Sequence, residues 1–398
     1  MKRWMSMFAV IMTAAISLPL LAQEEAPAGG AAKGAQVDTT GKGYTAAFVL
    51  EPVTGRVLFE ENAHVPLPTA SMAKMMTLLI TMEEIRDGRL KLTDPVTISP
   101  KASKMGGSQI YAKDGQVFPV QTLIAATMIQ SANDAAEALA EKIAGSSENF
   151  AQIMNQRAKA LGLKESNFYD PHGLPNSQNP SQINTMSAHD LAVLGQEVMK
   201  FPLLREYAKT PTMPFTNGTF TSGLTNPNHL INPHKVNYFD AATGIKTGYS
   251  GPAGYCVTAA AQRGDMQLIA VVMGARSGSG PLSSFGIASR LMSGAFSQYN
   301  MSTVLKKGTA VGQSAVKDGD AKSVSAVAAG DAKALVKRGE EGSVKIAFSP
   351  APVTAPVRAG QQVGVISVQQ GGQVIARIPA VAANAVAKEP WWKMFWPF

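Results

Sequence analysis

The sequence predicts an α+β domain over residues 44–301, followed by a small all-β module over residues 302–383. Strand-like apolar runs stand at both ends of the first region, with segments of helical periodicity between them. The second region contains only strand patterns, such as the alternation of Val344, Ile346 and Phe348, and no long helical pattern. A hydrophobic fraction of 45% and a charged fraction of 16% fit a globular protein and exclude a disordered chain or a coiled coil.

Each predicted element follows from a local pattern. Two apolar runs around a Pro- and Gly-containing turn predict a hairpin, and two later runs joined at residues 263–265 predict another. Three segments have helical spacing, and Ser187 is placed to cap the last. In the second region, residues 363–368 and 374–378 flank Gly371-Gly372, which predicts a further hairpin. The predicted elements of the first domain are 46–50, 56–59, 69–85, 121–143, 187–199, 255–261 and 267–273.

The two ends of the chain have patterns that predict export and membrane attachment. Lys2 and Arg3 precede an apolar run closed by a small residue, which predicts a secretory signal peptide over residues 1–22. Residues 23–43 are predicted to be a flexible leader. Residues 384–398 hold every tryptophan of the mature chain beside lysines, which predicts an amphipathic anchor lying on a membrane surface. A tail that packs on the domain is the alternative.

Charge and residue types restrict the chemistry. The net charge is +8, and removal of the predicted signal peptide with Lys2 and Arg3 leaves 8 − 2 = +6. A positive mature chain suits an acidic wall polymer or an anionic lipid surface, a solvated basic surface being the alternative. No nucleic-acid partner is predicted. The single cysteine, Cys256, excludes an intrachain disulfide and a multi-cysteine zinc site, and we interpret it as a buried small hydrophobe. None of the five histidines falls in an H-E-x-x-H string, so neither a metal site nor a cofactor is predicted.

Three short strings hold the candidate catalytic residues. A serine hydroxyl is a poor nucleophile until a base removes its proton, and Lys74 lies one helical turn from Ser71 on the same face. Because Ser71 opens a predicted helix, its backbone N–H lies at the positive end of the helix dipole. A second cation, Lys246, and burial would each lower the pKa of Lys74. The strings are Ser71-Met72-Ala73-Lys74, Ser131-Ala132-Asn133 and Lys246-Thr247-Gly248.

The second and third strings supply relay and binding groups. Ser131 and Asn133 offer a hydroxyl and an amide without adding charge, a simple helix cap or turn being the alternative. Gly248 precedes a predicted strand hairpin and leaves room for an extended peptide to add there, with Thr247 reaching its terminal carboxylate. An ordinary turn with a solvated lysine is the alternative for this string. The backbone N–H of Tyr249 is the candidate second donor of an oxyanion hole, opposite that of the nucleophile.

Together these strings resemble the motifs of the active-serine penicillin-recognising enzymes. The chain is similar to the low-molecular-weight penicillin-binding proteins of the D-alanyl-D-alanine carboxypeptidase kind. The resemblance covers nearly the whole mature chain, because the β-rich module and the amphipathic tail also fit that family's layout. It implies a transpeptidase/β-lactamase-like α+β fold for the first domain. The residues that carry it are 68–77, 130–135, 170–174, 188–192 and 244–248.

The resemblance implies a serine DD-peptidase that removes the terminal D-alanine from peptidoglycan stem peptides, with a role in cell-wall maturation and cell shape. Ser71 would attack the carbonyl between the two D-alanines, Lys74 would be the base, and water would clear the acyl-enzyme. Ser131 with Lys246 would pass the proton to the leaving amine, and Asn133 would hold the peptide's amide side. β-Lactams would acylate the same serine. The resemblance also implies a periplasmic location, with the tail on the outer face of the inner membrane.

The sequence departs from the family pattern at a few positions. Ala132 stands where Gly is usual and Ser250 where Thr is common, and both changes are mild. The family often has an Arg a few residues past the strand at 271–274, where it pairs with the substrate carboxylate. Arg276 is the candidate for that role, a surface charge being the alternative. His172 is a candidate for lining the site, a satisfied structural histidine being the alternative.

Three other functions are compatible with the strings. A class A β-lactamase adds an E-x-x-L-N string between the second and third motifs, and none occurs between Asn133 and Lys246, where Glu165 is followed by other residues. A DD-endopeptidase cleaves a similar bond, although the β-rich module and the tail favour a carboxypeptidase. A non-catalytic wall-binding scaffold has no need of a base beside a serine, so Ser71 and Lys74 favour an enzyme.

Overall fold

The computed structural model describes residues 43–176, 179–218, 221–277, 280 and 283–390. The predicted signal peptide, nearly all of the predicted leader and the aromatic end of the predicted anchor lie outside these residues. The strands, in chain order, are β1 Ala46–Glu51, β2 Arg56–Glu61, β3 Leu67–Pro68, β4 Pro95–Thr97, β5 Val117–Pro119, β6 Thr185–Met186, β7 Thr212–Thr216, β8 Thr221–Thr225, β9 Ala242–Ser250, β10 Gly254–Arg263, β11 Met266–Ala275, β12 Tyr299–Leu305, β13 Ala310–Lys317, β14 Ser323–Ala328, β15 Ala332–Lys337, β16 Val344–Pro350, β17 Val353–Thr354, β18 Gln362–Gln370 and β19 Gln373–Ala382. The α-helices are α1 Lys74–Arg86, α2 Val120–Ala125, α3 Asn133–Ala144, α4 Ser147–Ala160, α5 Ala188–Val198, α6 Pro202–Ala208 and α7 Ser284–Gln298. Within the described ranges, none of the helices combines the length and apolar character needed to cross a membrane.

A five-stranded antiparallel sheet forms the middle of the first domain, in the order β2–β1–β11–β10–β9. Along β1, Phe48 belongs to one core cluster and Val49 to another, so consecutive side chains are buried on opposite faces. Burial on both faces explains why this strand is an unbroken apolar run instead of an alternating one. The β1–β2 and β10–β11 hairpins lie where the sequence predicted them.

Helices cover both faces of this sheet. Helix α5 packs against β1 and β11 on one face, and α7 packs against β10 and β11 on the other. Helix α1 packs against α3, α4 and α5, and every residue from Lys74 to Met82 is buried. A helix surrounded by protein is buried on all sides, unlike an amphipathic surface helix. The position of α1 therefore removes the Lys74 side chain from water.

The predicted helical segment over residues 121–143 is divided in the structure. Helix α2 ends at Ala125, a π-helical turn spans Ala126–Gln130, and α3 begins at Asn133. Between them, Ser131 has a φ of 61°, in the left-handed region. A left-handed residue cannot continue a right-handed helix, so the prediction of one helix was wrong. This break places Ser131 in a tight turn.

The second domain is all-β, as the sequence predicted. Six strands form a sheet in the order β16–β18–β19–β14–β13–β17, while β12 pairs with β15. The β18–β19 hairpin turns at Gly371 and Gly372, which both have positive φ values that glycine adopts at low cost. Small β-branched and alanine side chains, such as Val363, Ile366 and Ala380, form the core of this domain.

The start of the predicted tail continues the second domain. Within residues 384–390, Val386 is buried and pairs with Val357, and Lys388 pairs with Gly319. The domain accordingly extends past residue 383, where the sequence analysis ended it.

The two domains share a packed junction. Leu335 of β15 is fully buried in the core cluster that contains Tyr299, Met301 and side chains of α7. The backbone N–H of Arg338 donates to the carbonyl oxygen of Gln298 at 2.8 Å. Helix α7 therefore connects the five-stranded sheet directly to the β-rich domain.

Candidate active site

The first pair of the site joins Ser71 and Lys74. Ser71 lies in a short 3₁₀ turn, Ala70–Ala73, that leads directly into α1. The Nζ of Lys74 lies 2.8 Å from the Oγ of Ser71 and donates to the backbone carbonyl of His172 at 2.8 Å. The lysine therefore lies within proton-transfer distance of the serine, at the spacing that the sequence predicted.

Burial makes Lys74 a stronger candidate for a base. Desolvation of its fully buried side chain lowers its pKa, and the positive charge of Lys246 lowers it further. The charges of Asp170 and Asp134 oppose these effects, but the pKa stays well below the ordinary value for lysine. The neutral amine, which is the form that accepts a proton, is thus populated at a lower pH than in a solvated lysine.

The second pair joins Ser131 and Lys246. The Nζ of Lys246 donates to the Oγ of Ser131 at 2.7 Å and to the carbonyl oxygen of Thr247 at 3.2 Å. Burial lowers the pKa of Lys246 to about 7, because the ammonium loses hydration. A lysine with this pKa exchanges its proton readily near neutral pH, so the pair is suited to proton relay.

Asn133 presents an acceptor next to this second pair. Its backbone N–H donates to the carbonyl oxygen of Ser108 at 2.7 Å, and its Nδ2 donates to that of Gly106 at 2.6 Å. Its Oδ1 is buried and has no hydrogen-bond partner in the described part of the chain. A buried acceptor without a partner is costly, so this oxygen would gain a hydrogen bond from an amide N–H of a bound ligand.

The third string lies on β9, an edge strand of the five-stranded sheet. A Cβ at Gly248 would lie 2.8 Å from the carbonyl oxygen of Thr69 and 3.3 Å from the Cβ of Ala70. Glycine is therefore needed here so that β9 can pack against the Ser71 turn, which differs from the ligand-clearance reason given by the sequence. On the same strand, the Thr247 side chain is half-buried and Tyr249 is exposed.

The backbone is strained at Ser131 and directly before Ser71. Ser131 itself is in the left-handed region, and Ala70, just before Ser71, has a φ of 47°. Gly173 also has a positive φ, and a Cβ there would overlap the carbonyl oxygen of Ala70. Such conformations cost about 1–3 kcal/mol each for residues other than glycine and persist where surrounding packing imposes them.

His172 reaches the site through its backbone. Its carbonyl oxygen accepts from Lys74, whereas its ring lies between two carboxylates, with Nδ1 2.9 Å from Oδ1 of Asp170 and Nε2 3.8 Å from Oε2 of Glu137. Burial would raise the pKa of Asp170, but the hydrogen bond and charge of His172 lower it overall. The loop that carries His172 is thus held in place next to Lys74.

Arg276 follows directly after the end of β11. Its backbone N–H donates to the carbonyl oxygen of Gly43 at 3.0 Å, and its exposed side chain makes no hydrogen bond or ion pair with the described residues. A cavity of about 660 Å³, lined in part by Lys200 and Arg205, contains none of the motif residues.

Sequence reasoning assigned no role to Asp134. Its buried carboxylate accepts from the backbone N–H groups of Ile110, Ala112 and Ala135, which anchors the loop above Asn133. Burial raises the pKa of Asp134, against the effect of these hydrogen bonds. Its position directly after Asn133 at the start of a helix was the one signal available in the sequence.

Comparison with known proteins identifies the family. A family model described as D-alanyl-D-alanine carboxypeptidase matches residues 36–277, and one described as penicillin-binding protein 5, C-terminal domain, matches residues 299–388. The chain belongs to the D-alanyl-D-alanine carboxypeptidase family. The resemblance, the fold class and the enzyme class predicted from the sequence are thereby confirmed.

Individual members of this family match most of the chain. D-alanyl-D-alanine carboxypeptidase DacF of Bacillus subtilis is 34% identical over 86% of this chain and 85% of the relative. The structure of penicillin binding protein 5 from Haemophilus influenzae has a TM-score of 0.68 and 27% identity, covering 87% of this chain and 98% of that one. A D-alanyl-D-alanine endopeptidase of Pseudomonas aeruginosa is 32% identical over 53% of this chain and 64% of the relative.

The contacts of Glu165 bear on the β-lactamase alternative. Glu165, the nearest candidate for a water-activating glutamate, has its carboxylate 3.6 Å from the Nδ1 of His64 and accepts from the Oγ of Ser187 at 3.3 Å. Its described contacts do not include Ser71 or Lys74. The glutamate chemistry of class A β-lactamases thus has no counterpart at this position.

Proposed function

We propose that Ser71 is the acyl-forming nucleophile of the D-Ala-D-Ala carboxypeptidase reaction. The observation that supports this assignment best is the presence of two buried lysines, each in hydrogen-bond contact with a serine and each with a lowered pKa. Buried amines of this kind function as bases, whereas a binding scaffold would gain nothing from their desolvation cost.

The reaction follows from these contacts. Lys74 takes the proton of Ser71 as its Oγ attacks the carbonyl carbon between the two D-alanines. The tetrahedral intermediate collapses when the bond to the leaving nitrogen breaks, and Lys246 through Ser131 supplies the proton that this nitrogen needs. Water then attacks the ester carbonyl and gives a proton to the Ser131–Lys246 pair. Ser71 leaves with the proton held on Lys74, so the shortened peptide is released and both lysines regain their starting protonation. A β-lactam forms the same ester, because its strained amide occupies the place of the scissile bond.

The substrate lies along β9 in this proposal. An extended stem peptide adds at the free edge of β9 through backbone hydrogen bonds, and Thr247 contacts its terminal carboxylate. The unpaired Oδ1 of Asn133 accepts from a substrate amide. The backbone N–H groups of Ser71 and Tyr249 bind the oxyanion. Arg276 is a second candidate for the carboxylate.

A substitution of the nucleophile tests the assignment. For the mature protein and Ser71→Ala, we would measure D-alanine release from a peptide ending in D-Ala-D-Ala and covalent labelling by a fluorescent penicillin. Both signals should disappear in Ser71→Ala and remain in Ser297→Ala, an exposed serine on α7. Labelling that persists in Ser71→Ala would contradict the assignment.

The endopeptidase relative of Pseudomonas aeruginosa supports a second candidate activity on cross-linked peptides. That relative covers 53% of this chain, whereas the penicillin-binding protein 5 C-terminal domain matches residues 299–388. The presence of this domain favours the carboxypeptidase. Release of D-alanine that exceeds cleavage of a cross-linked dimer by the same protein would support that choice, and the reverse order would favour the endopeptidase.

Export and membrane attachment belong to the same proposal. Residues 1–22 direct export to the periplasm, and the tail, with Trp391, Trp392, Phe395 and Trp396, lies on the outer face of the inner membrane. The described start of the tail pairs with the second domain at Val386 and Lys388.

A truncation after Pro390 tests the anchor while keeping these pairings. The mature protein should sediment with vesicles that contain anionic lipid, and the truncated protein should stay in the supernatant with unchanged penicillin labelling. Equal sedimentation of the two proteins would contradict the anchor.

A further inference from the structure

Three side chains with metal-binding atoms meet away from the catalytic pairs. One ligand atom from each of His64, Glu165 and His189 lies within 4.8 Å of the others. They come from the loop after β2, the loop after α4 and the first turn of α5. Two imidazoles and one carboxylate form a donor set that Zn²⁺ binds in proteins. The proposed reaction uses none of these three residues.

The spacing is close to what a zinc ion requires. With zinc–ligand distances of about 2.0–2.2 Å, the ligand atoms around a tetrahedral ion lie about 3.4 Å apart. The Nδ1 of His64 is already 3.6 Å from the Oε1 of Glu165, and the ring centroids of His64 and His189 are 4.8 Å apart. Because His64 is 59% exposed, its side chain can turn by the small amount that remains.

Neighbouring groups hold this cluster in place. The backbone N–H of His189 donates to the carbonyl oxygen of Ala63 at 2.9 Å, which joins the two histidine-bearing segments. The Nδ1 of His189 is 3.1 Å from Oδ1 of Asp190, an arrangement that leaves Nε2 for a ligand. Asp190 also accepts from the backbone N–H of Glu165 at 2.9 Å. A carboxylate on the far nitrogen of a histidine is the usual support of a zinc-binding imidazole.

We propose that His64, Glu165 and His189 bind a divalent zinc ion that braces the scaffold of the active site. The two carboxylates, Glu165 and Asp190, give the cluster a negative charge that favours a cation. Bound zinc would tie the loop after β2 to the start of α5. Both segments adjoin the β3–β6 ladder, which leads into the Ser71 turn through the bond from Thr69 N–H to the carbonyl oxygen of Asn184.

Zinc titration of the full mature chain without a histidine tag tests this site. Protein freed of metal by a chelator would be titrated with ZnCl₂ in a calorimeter, beside His64→Gln and His189→Gln. His234→Gln is the matched control, since this histidine is exposed and lies outside the cluster. We expect one zinc per chain in the parent and in the control, and an affinity about tenfold or more weaker in each cluster variant.

A second readout separates the site from weak surface binding. Because zinc that binds only the folded chain stabilises it, the melting temperature of the parent and the control should rise with zinc, and that of His64→Gln should not. Penicillin labelling of every variant verifies that it is folded. If His189→Gln does not fold, His64→Gln alone tests the site, because the exposed His64 side chain can be replaced without disturbing the core. Equal zinc affinity in the parent and His64→Gln, or no stoichiometric binding in the parent, would overturn the proposal.

Discussion

At the scale of single residues, the proposed chemistry depends on two lysines, Lys74 and Lys246. Both are buried and both contact a serine, but the causes of their lowered pKa values differ in one respect. Burial alone accounts for Lys246, whereas the pKa of Lys74 is lowered by burial and then by the charge of Lys246. The protonation of one lysine therefore depends on that of the other.

The variant Lys246→Met tests this dependence. Protonated Lys74 cannot accept the proton of Ser71, so the acid limb of the acylation rate reports the pKa of Lys74. Removal of the neighbouring positive charge raises that pKa, so the acid limb should move to higher pH. The measurement is the rate of labelling by a fluorescent penicillin as a function of pH.

The height of that profile is expected to fall as well, because Lys246 contacts Ser131. The pH at which the acid limb lies, and not the height of the profile, tests the coupling between the two lysines. Lys235→Met, at an exposed lysine, should leave the position of the acid limb and the height of the profile unchanged. An acid limb of Lys246→Met that stays in place or moves to lower pH would be inconsistent with charge coupling between the two lysines.

At the scale of elements, the site depends on how β9 lies against the start of α1. Gly248 allows β9 to approach the carbonyl oxygen of Thr69, and Gly173 allows the His172 loop to approach that of Ala70. These two close approaches surround Ser71 from different segments of the chain. Small shifts of either element therefore change the geometry around Ser71, the proposed nucleophile.

Gly248→Ala should separate β9 from the Ser71 turn. The nearest neighbour of the added Cβ would be the backbone carbonyl oxygen of Thr69, which cannot move as freely as a flexible side chain. Overpacking of this kind costs about 1–3 kcal/mol of stability. We expect the acylation rate to fall by about tenfold to a hundredfold. Gly251→Ala is the control, because nothing lies within 4 Å of a Cβ there. Equal rates in the two variants would argue against the packing role of Gly248.

At the scale of the whole molecule, α7 and β15 connect the catalytic domain to the β-rich domain. Leu335 is buried in the core of the catalytic sheet, whereas the nearby ion pair between Lys333 and Asp265, 3.1 Å long, is partly exposed. Buried apolar contacts carry more free energy than exposed ion pairs. The junction should therefore depend on Leu335 and scarcely on the ion pair.

Leu335→Ala should lower the free energy of unfolding by about 2–5 kcal/mol, since it leaves a cavity in a packed core. Lys333→Ala should change it by about 0–1 kcal/mol. Urea unfolding measures both changes. The penicillin acylation rate of folded Leu335→Ala should match that of the parent, because the residue lies outside the site. A reduced rate would indicate that the second domain influences catalysis through this junction.

Local pattern was sufficient for much of the fold. The β1–β2 and β10–β11 hairpins and the Ser187 cap of α5 were predictable, because turn residues and capping hydroxyls act on their immediate neighbours. The break at Ser131 was not, because the left-handed conformation is imposed by packing and leaves no mark on helical periodicity.

The sequence by itself determined the family, the order of the two domains and the Ser71–Lys74 pair, since one helical turn brings these two residues together. Only the tertiary structure decided that Lys246 meets Ser131, 115 positions away in the chain, and that both lysines are buried. It also decided which neighbours Gly248 has and brought His64, Glu165 and His189 together. The physical reason is that periodicity records only contacts within one element, whereas burial and contacts between distant segments arise when the elements pack.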